Sequence, residues 1–248
     1  MRKLFFGVFV FLFVFSFEGF SCTLYWFTGA GIKKPAERIA KMFEKTHHCK
    51  VAIITGGSGQ VLNEMLQTKK GAIYTLVDAL FLKKAIKHKI VLKYDKILKL
   101  TPIFLISKSA ESKIRTINDL AKAGVRIAGG DTRAMCLGET FREIMNKLPK
   151  ELREKIEKNI VVRCLNVFQI VGYVKSGVVD AGIVLDKALV RDTNLKWIDI
   201  PEKCNVHRYG YVALIRYSNS EKAKELYNFI LKHLNVYREY GFELIKPR

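Results

Sequence analysis

Short apolar runs alternate along the chain with longer segments whose apolar residues recur every three or four positions. The runs predict buried strands, and the periodic segments predict helices with one apolar face. The predicted strands are 23–27, 51–54, 72–77, 102–107, 125–128, 159–165, 180–185 and 209–215. Because strands and helices alternate, we expect an α/β fold built on mostly parallel sheet.

Helix signals fill most of the gaps between these strands. Pro35 stands early in the first helix, where its missing N–H costs little, and the apolar face behind it carries Ala36, Ile39, Ala40 and Phe43. The last helix has Ser220 as its N-cap and spans 220–234. Other helices are predicted from Val61, Leu62, Met65 and Leu66, at 80–87, 138–147 and 167–175, with a short one at 117–120.

The first 21 residues have the layout of a secretory signal peptide. Arg2 and Lys3 precede an apolar run over 5–17, and small residues lead to Cys22. The run is shorter than the roughly 20 residues that span a membrane, although a retained N-terminal anchor is an alternative. The segment 19–22 weakly resembles a bacterial lipoprotein box, so lipidation of Cys22 stays open. We expect an exported protein, periplasmic or held in the cell envelope, that touches membrane only through such an anchor.

The formal net charge of +20 suggests anionic partners of some kind. The lysines are spread along the polar faces of predicted helices, and the sequence has no arginine–aromatic cluster or nucleic-acid motif. We therefore exclude nucleic acid and interpret the charge as a solvated surface with a general bias toward anions.

A glycine-rich turn, TGGSGQVLNEM over 55–65, joins a predicted strand to a predicted helix. The start of a helix offers unpaired N–H groups and a partial positive charge, which together favour an anion. A nucleophile elbow does not fit because Gln60 replaces its second glycine. A P-loop does not fit because no Gly-Lys-Ser/Thr follows. The alternative is structural: the glycines only make a tight turn, and Ser58 only caps a helix.

Several recognisable motifs follow one another along the chain: FTGAGIKKPAERIAKMFEK, TGGSGQVLNEM, KKGAIY, INDLAKAGVRIAGGD, NVFQIVGYVKSGVVDAGIVLDKALV, DIP and YGF. The set resembles the periplasmic molybdate-binding proteins of ABC importers, within the molybdate/tungstate group. The resemblance implies a bilobed fold, in which two mostly parallel-sheet lobes joined by hinge strands hold the anion in a cleft. One lobe would comprise 23–103 plus 212–248 and the other 104–211. It also implies a monomer without cofactor that delivers its ligand to an ABC permease.

The anion contacts of that family map onto Gly31, Ser58, Leu137, Val167 and Leu185. Ser58 would offer Oγ–H and N–H, whereas Leu137 and Val167 would offer backbone N–H groups. Gly31 and Leu185 stand where the family usually has hydroxyl side chains, so the pocket is less polar than is usual in the family. Donors without acceptors suit a permanently doubly charged anion, and Asp131 is the one carboxylate near these turns.

The cysteines give a further expectation. There are five of them, and no pair has the CxxC spacing of a zinc site. If Cys22 is lipidated or removed, four cysteines remain. An even number suits disulfide pairing in the oxidising compartment of an exported protein. Cys136 and Cys164 lie just before the two donor turns of one lobe, so we predict a disulfide between them, with two separate buried thiols as the alternative.

These observations favour a binding protein that captures molybdate or tungstate for an ABC importer. Sulfate or another anion is the nearest rival ligand. An enzyme or sensor on the same scaffold is the rival class, although none of the five histidines lies at a predicted cleft turn. We therefore expect no catalytic residues and no metal site.

Overall fold

The computed structural model describes residues 22–133 and 135–245, so the predicted signal peptide lies outside the described residues. The strands in that part of the chain are β1 (Cys22–Gly29), β2 (Cys49–Gly56), β3 (Ile73–Val77), β4 (Val91–Leu100), β5 (Ile103–Ile106), β6 (Ile127–Gly130), β7 (Ile160–Cys164), β8 (Ala181–Val184), β9 (Trp197–Asp199), β10 (Arg208–Ile215) and β11 (Glu243–Leu244). The α-helices there are α1 (Lys33–His47), α2 (Ser58–Thr68), α3 (Ala79–Lys87), α4 (Cys136–Asn146), α5 (Lys150–Lys158), α6 (Val167–Lys175), α7 (Glu221–Lys232) and α8 (Asn235–Glu239). None of these helices is both long and apolar enough to cross a membrane.

The strands form two sheets, which confirms an α/β fold with two lobes. The first sheet has the order β11-β4-β10-β3-β1-β2, and the second has the order β7-β6-β8-β5-β9. In the first, β1 runs parallel to β2 and β3, while β10 is antiparallel to β3 and β4. In the second, β6 runs parallel to β7 and β8, while β5 is antiparallel to β8 and β9. Both sheets are therefore mixed, with parallel pairs where strand–helix–strand units repeat.

The chain passes from the first sheet to the second between β4 and β5, and it returns between β9 and β10. The sequence pattern did not predict β4, because four lysine or aspartate positions interrupt its apolar residues. It also missed α5, where only Ile156 is fully buried. Both elements owe their structure to neighbours that are distant in sequence, so local periodicity is weak there.

A buried hydroxyl network ties β1 to β3 beneath the loops of the first sheet. Trp26 Nε1 donates to Thr75 Oγ1 at 2.9 Å, and Thr75 Oγ1 donates in turn to Thr28 Oγ1 at 2.7 Å. All three residues are fully buried. Since buried polar groups are costly unless they are paired, this chain of hydrogen bonds fixes the end of β1, from which the first cleft turn departs.

The disulfide prediction was wrong. Cys22 is bonded to Cys49, whereas Cys136, Cys164 and Cys204 are buried free thiols. Cys22 and Cys49 are register partners on the parallel strands β1 and β2, with Cα atoms 4.8 Å apart, which suits a disulfide. The even count of cysteines left Cys22 out, and sequence order does not reveal which Cβ atoms face each other. A diacylglyceryl anchor would need the same Cys22 sulfur, so anchor and disulfide exclude each other in one molecule.

Candidate functional site

A small cavity of about 40 Å³ lies where turns from both sheets meet. It contains four of the five residues predicted to contact an anion: Gly31, Ser58, Val167 and Leu185. The remaining lining residues are Gly29, Ala30, Ile32, Gly56, Gly57, Val77, Leu100, Asn166 and Leu189. Elements far apart in sequence thus converge on one point, which makes this cavity the candidate ligand site.

Ser58 presents the polar side chain nearest the start of α2. Ser58 is 5% exposed, and its carbonyl accepts from Tyr74 Oη at 2.8 Å, whereas its hydroxyl has no hydrogen bond within the described residues. Val61 N–H donates to Gly57 O at 3.0 Å, so the N–H groups of Ser58 and the two residues after it precede the first helical bond. The hydroxyl and these N–H groups are therefore available to a ligand.

Close packing explains why two positions of the same turn are glycine. A Cβ on Gly59 would lie 2.7 Å from Phe81 Cε1, and a Cβ on Gly56 would lie 2.9 Å from Gln60 Oε1. The structural explanation that the sequence left open thus holds for these glycines. It does not account for Ser58, whose hydroxyl caps no N–H of α2.

The start of α6 forms the opposite wall. Asn166 Oδ1 accepts from Gln169 N–H at 3.1 Å, and Gln169 Oε1 accepts from Leu165 N–H at 2.8 Å. This reciprocal cap fixes the first turn, and Val167 N–H stands at its open end. Sequence reasoning did not single out Asn166, although the spacing Asn-x-x-Gln is a capping signal that could have identified it.

Gly31 lies in the turn that precedes α1, and Leu189 from the second-sheet side lies against it. A Cβ on Gly31 would be 3.0 Å from Leu189 Cδ2. The room beside Gly31 is thus occupied by an apolar side chain. Leu185, just after β8, adds a second apolar residue and is 5% exposed.

Leu137 is not among the residues that line the cavity. It lies in the first turn of α4 and is fully buried, and the next residue, Gly138, packs tightly on the end of β6. A Cβ on Gly130 would approach Gly138 N to 2.7 Å, so backbone meets backbone there. A contact from the Leu137 N–H to an ion stays a prediction.

The cavity has no charged side chain among its lining residues in the described part of the chain. The nearby carboxylate that the sequence indicated, Asp131, accepts from the backbone N–H of Arg133 at 2.8 Å and pairs with the Arg133 guanidinium at 3.3 Å. The site therefore offers hydrogen-bond donors and apolar walls, without an acidic acceptor. No group of His, Cys, Asp or Glu among the described residues could hold a metal ion.

Next to the cavity, exposed polar contacts join the lobe of the first sheet to the lobe of the second. Lys34 Nζ lies 2.6 Å from Asp192 Oδ2, and Arg191 Nη1 donates to Glu239 O at 3.1 Å. The hydrogen bond to Asp192 raises the pKa of Lys34 and lowers that of Asp192. Because both side chains are more than half exposed, these contacts orient the two sides more than they stabilise the fold.

Comparison with known families gives a match over most of the chain. A family model described as bacterial extracellular solute-binding protein matches residues 24–243. A Haemophilus influenzae protein described as a binding protein is 32% identical over 163 residues, which are 65% of each chain. A Bacillus subtilis ABC transporter substrate-binding lipoprotein is 24% identical over 221 residues, covering 86% of this chain and 83% of that one. The chain thus spans about two thirds of the first relative's length and most of the second's.

Solved structures show the same fold. The periplasmic molybdate-binding protein of Azotobacter vinelandii superposes with a TM-score of 0.75 at 20% identity, covering 90% of this chain and 99% of that one. The sulfate-binding protein SubI of Mycobacterium tuberculosis also has a TM-score of 0.75, at 12% identity, with coverages of 91% and 88%. At such identities the likeness concerns the fold alone.

Proposed function

The chain belongs to the bacterial extracellular solute-binding proteins, and from that premise we propose that it captures a small tetrahedral oxyanion, molybdate or tungstate, for delivery to an ABC permease. The ion would lie in the 40 Å³ cavity. Its oxygens would accept from the N–H groups of Gly31, Ser58 and Val167 and from the Ser58 hydroxyl, with the Leu137 N–H as a further predicted donor.

The observation that carries this proposal is that the cavity is bordered by helix starts and, among its described lining residues, has no carboxylate. Two helix starts, those of α2 and α6, border it, and the buried Ser58 hydroxyl has no partner within the described residues. Helix N-termini stabilise an anion through N–H groups and the helix dipole. A fully deprotonated dianion needs no acceptor, whereas hydrogen phosphate has a proton to donate, and no carboxylate among the described lining residues could accept it.

The volume of the cavity supports a small ligand. By the same measure one water needs roughly 10–15 Å³, so about 40 Å³ suits a group with a few oxygens. The apolar residues Leu185 and Leu189 limit that space on the second-sheet side. Sulfate is the second candidate, because the sulfate-binding SubI fits this fold as well as the molybdate-binding protein does.

We infer binding rather than catalysis from the composition of the site. Among the described lining residues, no side chain can act as a general base or as an activated nucleophile. The proposal includes export with removal of residues 1–21 and action as a monomer in the cell envelope. Its two lobes would be built on the first sheet, with β1 to β4, β10 and β11, and on the second sheet, with β5 to β9.

A ligand screen tests this function. The exported protein is heated with molybdate, tungstate, sulfate or phosphate, and calorimetry follows on each ion that raises the melting temperature. Molybdate and tungstate should bind more tightly than sulfate, and phosphate should bind least well near neutral pH. If sulfate binds more tightly than both metal oxyanions, the second candidate replaces the first. If none of the four ions raises the melting temperature, the oxyanion function is wrong.

A further inference from the structure

A second and larger cavity, of about 680 Å³, lies beside the candidate site. The two cavities share four lining residues: Ala30, Gly31, Val167 and Leu189. The larger one is also lined by several charged residues and by Phe168 and Tyr240. The shared residues thus border both a space that fits one small ion and a space that fits an organic molecule.

Leu189 has the largest side chain in this shared wall. Its Cδ2 stands 3.0 Å from the position that a Cβ on Gly31 would take, so it fills the gap that the glycine leaves. The contact crosses between the two sides of the cleft. Truncating Leu189 should open this wall more than truncating any other shared residue, because its side chain is the largest of the four.

The turn that carries Leu189 is held firmly in place. It is a short 3-10 turn, Lys187–Leu189, whose N-cap Asp186 is a buried carboxylate. Asp186 Oδ1 accepts from Ala188 N–H at 2.8 Å, and Oδ2 accepts from Thr101 N–H, between β4 and β5, at 2.9 Å. The leucine is thus anchored to the segment that links the two sheets.

We propose that Leu189 determines specificity by excluding ligands with an organic substituent. Resting on the proposed oxyanion function, this assigns to one residue the choice between a bare tetrahedral ion and a phosphomonoester. The phosphomonoester has the same tetrahedral dianionic head, because its second pKa is near 6. Its organic tail would need the passage that Leu189 fills. Hydrophobic pockets discriminate by about 10- to 200-fold for each missing or extra carbon.

The test uses molybdate and glycerol 3-phosphate as probes, at about pH 8 so that the ester is a dianion. Calorimetry gives the ratio of their dissociation constants for the wild type, for Leu189→Ala, and for Phe168→Ala as the control. Phe168 is exposed and lines only the larger cavity. We expect Leu189→Ala to shift the ratio toward the ester by about tenfold or more, and Phe168→Ala to leave it within about twofold. Circular dichroism confirms that both variants are folded.

The outcomes separate this inference from the function on which it rests. Two outcomes overturn the role of Leu189 and leave molybdate binding intact. The first is a ratio of dissociation constants that is the same in Leu189→Ala and in the wild type. The second is a wild type that already binds the ester as tightly as molybdate. A wild type that binds neither probe refutes molybdate binding. In that case, binding of the ester by Leu189→Ala would still support the exclusion of organic substituents by Leu189. If the variant also binds neither probe, the role proposed for Leu189 is overturned as well.

A double substitution tests the Leu189–Gly31 contact without any ligand. Gly31→Ala should lower the melting temperature in the wild-type background, because the new methyl group must displace Leu189. The same change should be nearly neutral in the Leu189→Ala background. Equal effects in both backgrounds would mean that the two residues are not coupled.

Discussion

Arg208 Nε on β10 donates to Thr140 Oγ1 on α4 at 2.8 Å, and so joins the first sheet to a helix of the second. Thr140 Oγ1 donates in turn to Cys136 O, at the start of that helix, at 2.9 Å. The same guanidinium lies 3.5 Å from Asp78 Oδ2 and 2.8 Å from Glu143 Oε1. A single arginine whose side chain is largely buried therefore links the strand that re-enters the first sheet to carboxylates of both lobes.

Replacing Arg208 should destabilise the fold markedly. The Arg208 side chain is 14% exposed and that of Asp78 is 9% exposed, so Arg208→Met would leave a buried carboxylate without its cation. Breaking such a pair costs about 3–5 kcal/mol. Urea unfolding measures the loss. Lys34→Met is the control, because its ion pair with Asp192 is exposed and should leave the unfolding midpoint nearly unchanged.

The stability lost in Arg208→Met should also depend on pH, because Asp78 titrates. Burial raises the pKa of Asp78, against the lowering effects of the Leu80 N–H and the Arg208 charge. A carboxyl with a raised folded-state pKa favours the fold below its unfolded pKa, and that contribution is lost as the pH rises through the folded-state pKa. Because Arg208→Met removes one of the effects that lower this pKa, the destabilisation should shrink as the pH falls from neutral toward the ordinary range of a carboxyl.

Asp78→Asn provides the control for that pH dependence. The amide cannot ionise, and its oxygen can still accept from Leu80 N–H, which Asp78 Oδ1 does at 2.7 Å. Adding Arg208→Met to Asp78→Asn should give a loss that changes little with pH. A loss that varies with pH as steeply as in the single variant would assign the effect to another group, such as Glu143.

Ser58→Ala should weaken anion binding without unfolding the protein. It removes one hydrogen bond to a charged ligand, worth about 1.5–3 kcal/mol, or roughly ten- to more than a hundredfold in affinity. Ser220→Ala is the matched control, because that hydroxyl accepts from Ala223 N–H at 3.2 Å and caps α7. The control should cost about 1 kcal/mol of stability and no affinity. Equal molybdate affinity in wild type and Ser58→Ala would show that this turn only shapes the chain.

The sequence indicated those parts of the site that depend on local chemistry. Ser58 follows an apolar run and opens a helix, and Val167 follows a strand and opens another, so both turns could be predicted from strand-to-helix transitions. Their meeting at one cavity was expected only through the family resemblance. Nothing local distinguishes Leu189, whose position depends on Asp186 and on the link between the sheets.

Long-range pairing explains what the sequence could not supply. The Cys22–Cys49 disulfide depends on the register of two parallel strands. That register is set by packing across the whole sheet and is not visible in cysteine spacing. Likewise, β4 has polar residues through much of its length and becomes a strand because β10 and β11 pair with it.

The disulfide should stabilise the exported protein. Its sequence separation of 27 predicts about 3.5 kcal/mol in the chain-entropy model. Cys49→Ser should lose about that much in urea unfolding, whereas Cys204→Ser, at a buried free thiol, removes no cross-link. Non-reducing peptide mapping should find the 22–49 bridge and three free thiols. A diacylglyceryl group on Cys22 would rule out the bridge, and an intact Met1 would refute cleavage of the signal peptide.

Two glycines around α6 allow a paired test of how that helix is positioned. A Cβ on Gly182, in β8 beneath the helix, would lie 2.5 Å from Ile170 Cγ2 and 2.9 Å from Val174 Cγ2. Gly172 lies within the helix, and a Cβ there would meet nothing within 4 Å. The same added methyl group should therefore have opposite effects on the stability of the fold at the two positions.

Gly182→Ala should cost about 1–3 kcal/mol through overpacking and should weaken anion binding, because the displaced helix carries the Val167 N–H. Gly172→Ala should stabilise by about 0.5–1 kcal/mol through helix propensity and leave affinity unchanged. Urea unfolding and calorimetry on both variants measure the two quantities. If Gly182→Ala lost stability but kept full affinity, the start of α6 would not be a ligand contact, and the anion would have to be held by the α2 side of the cavity.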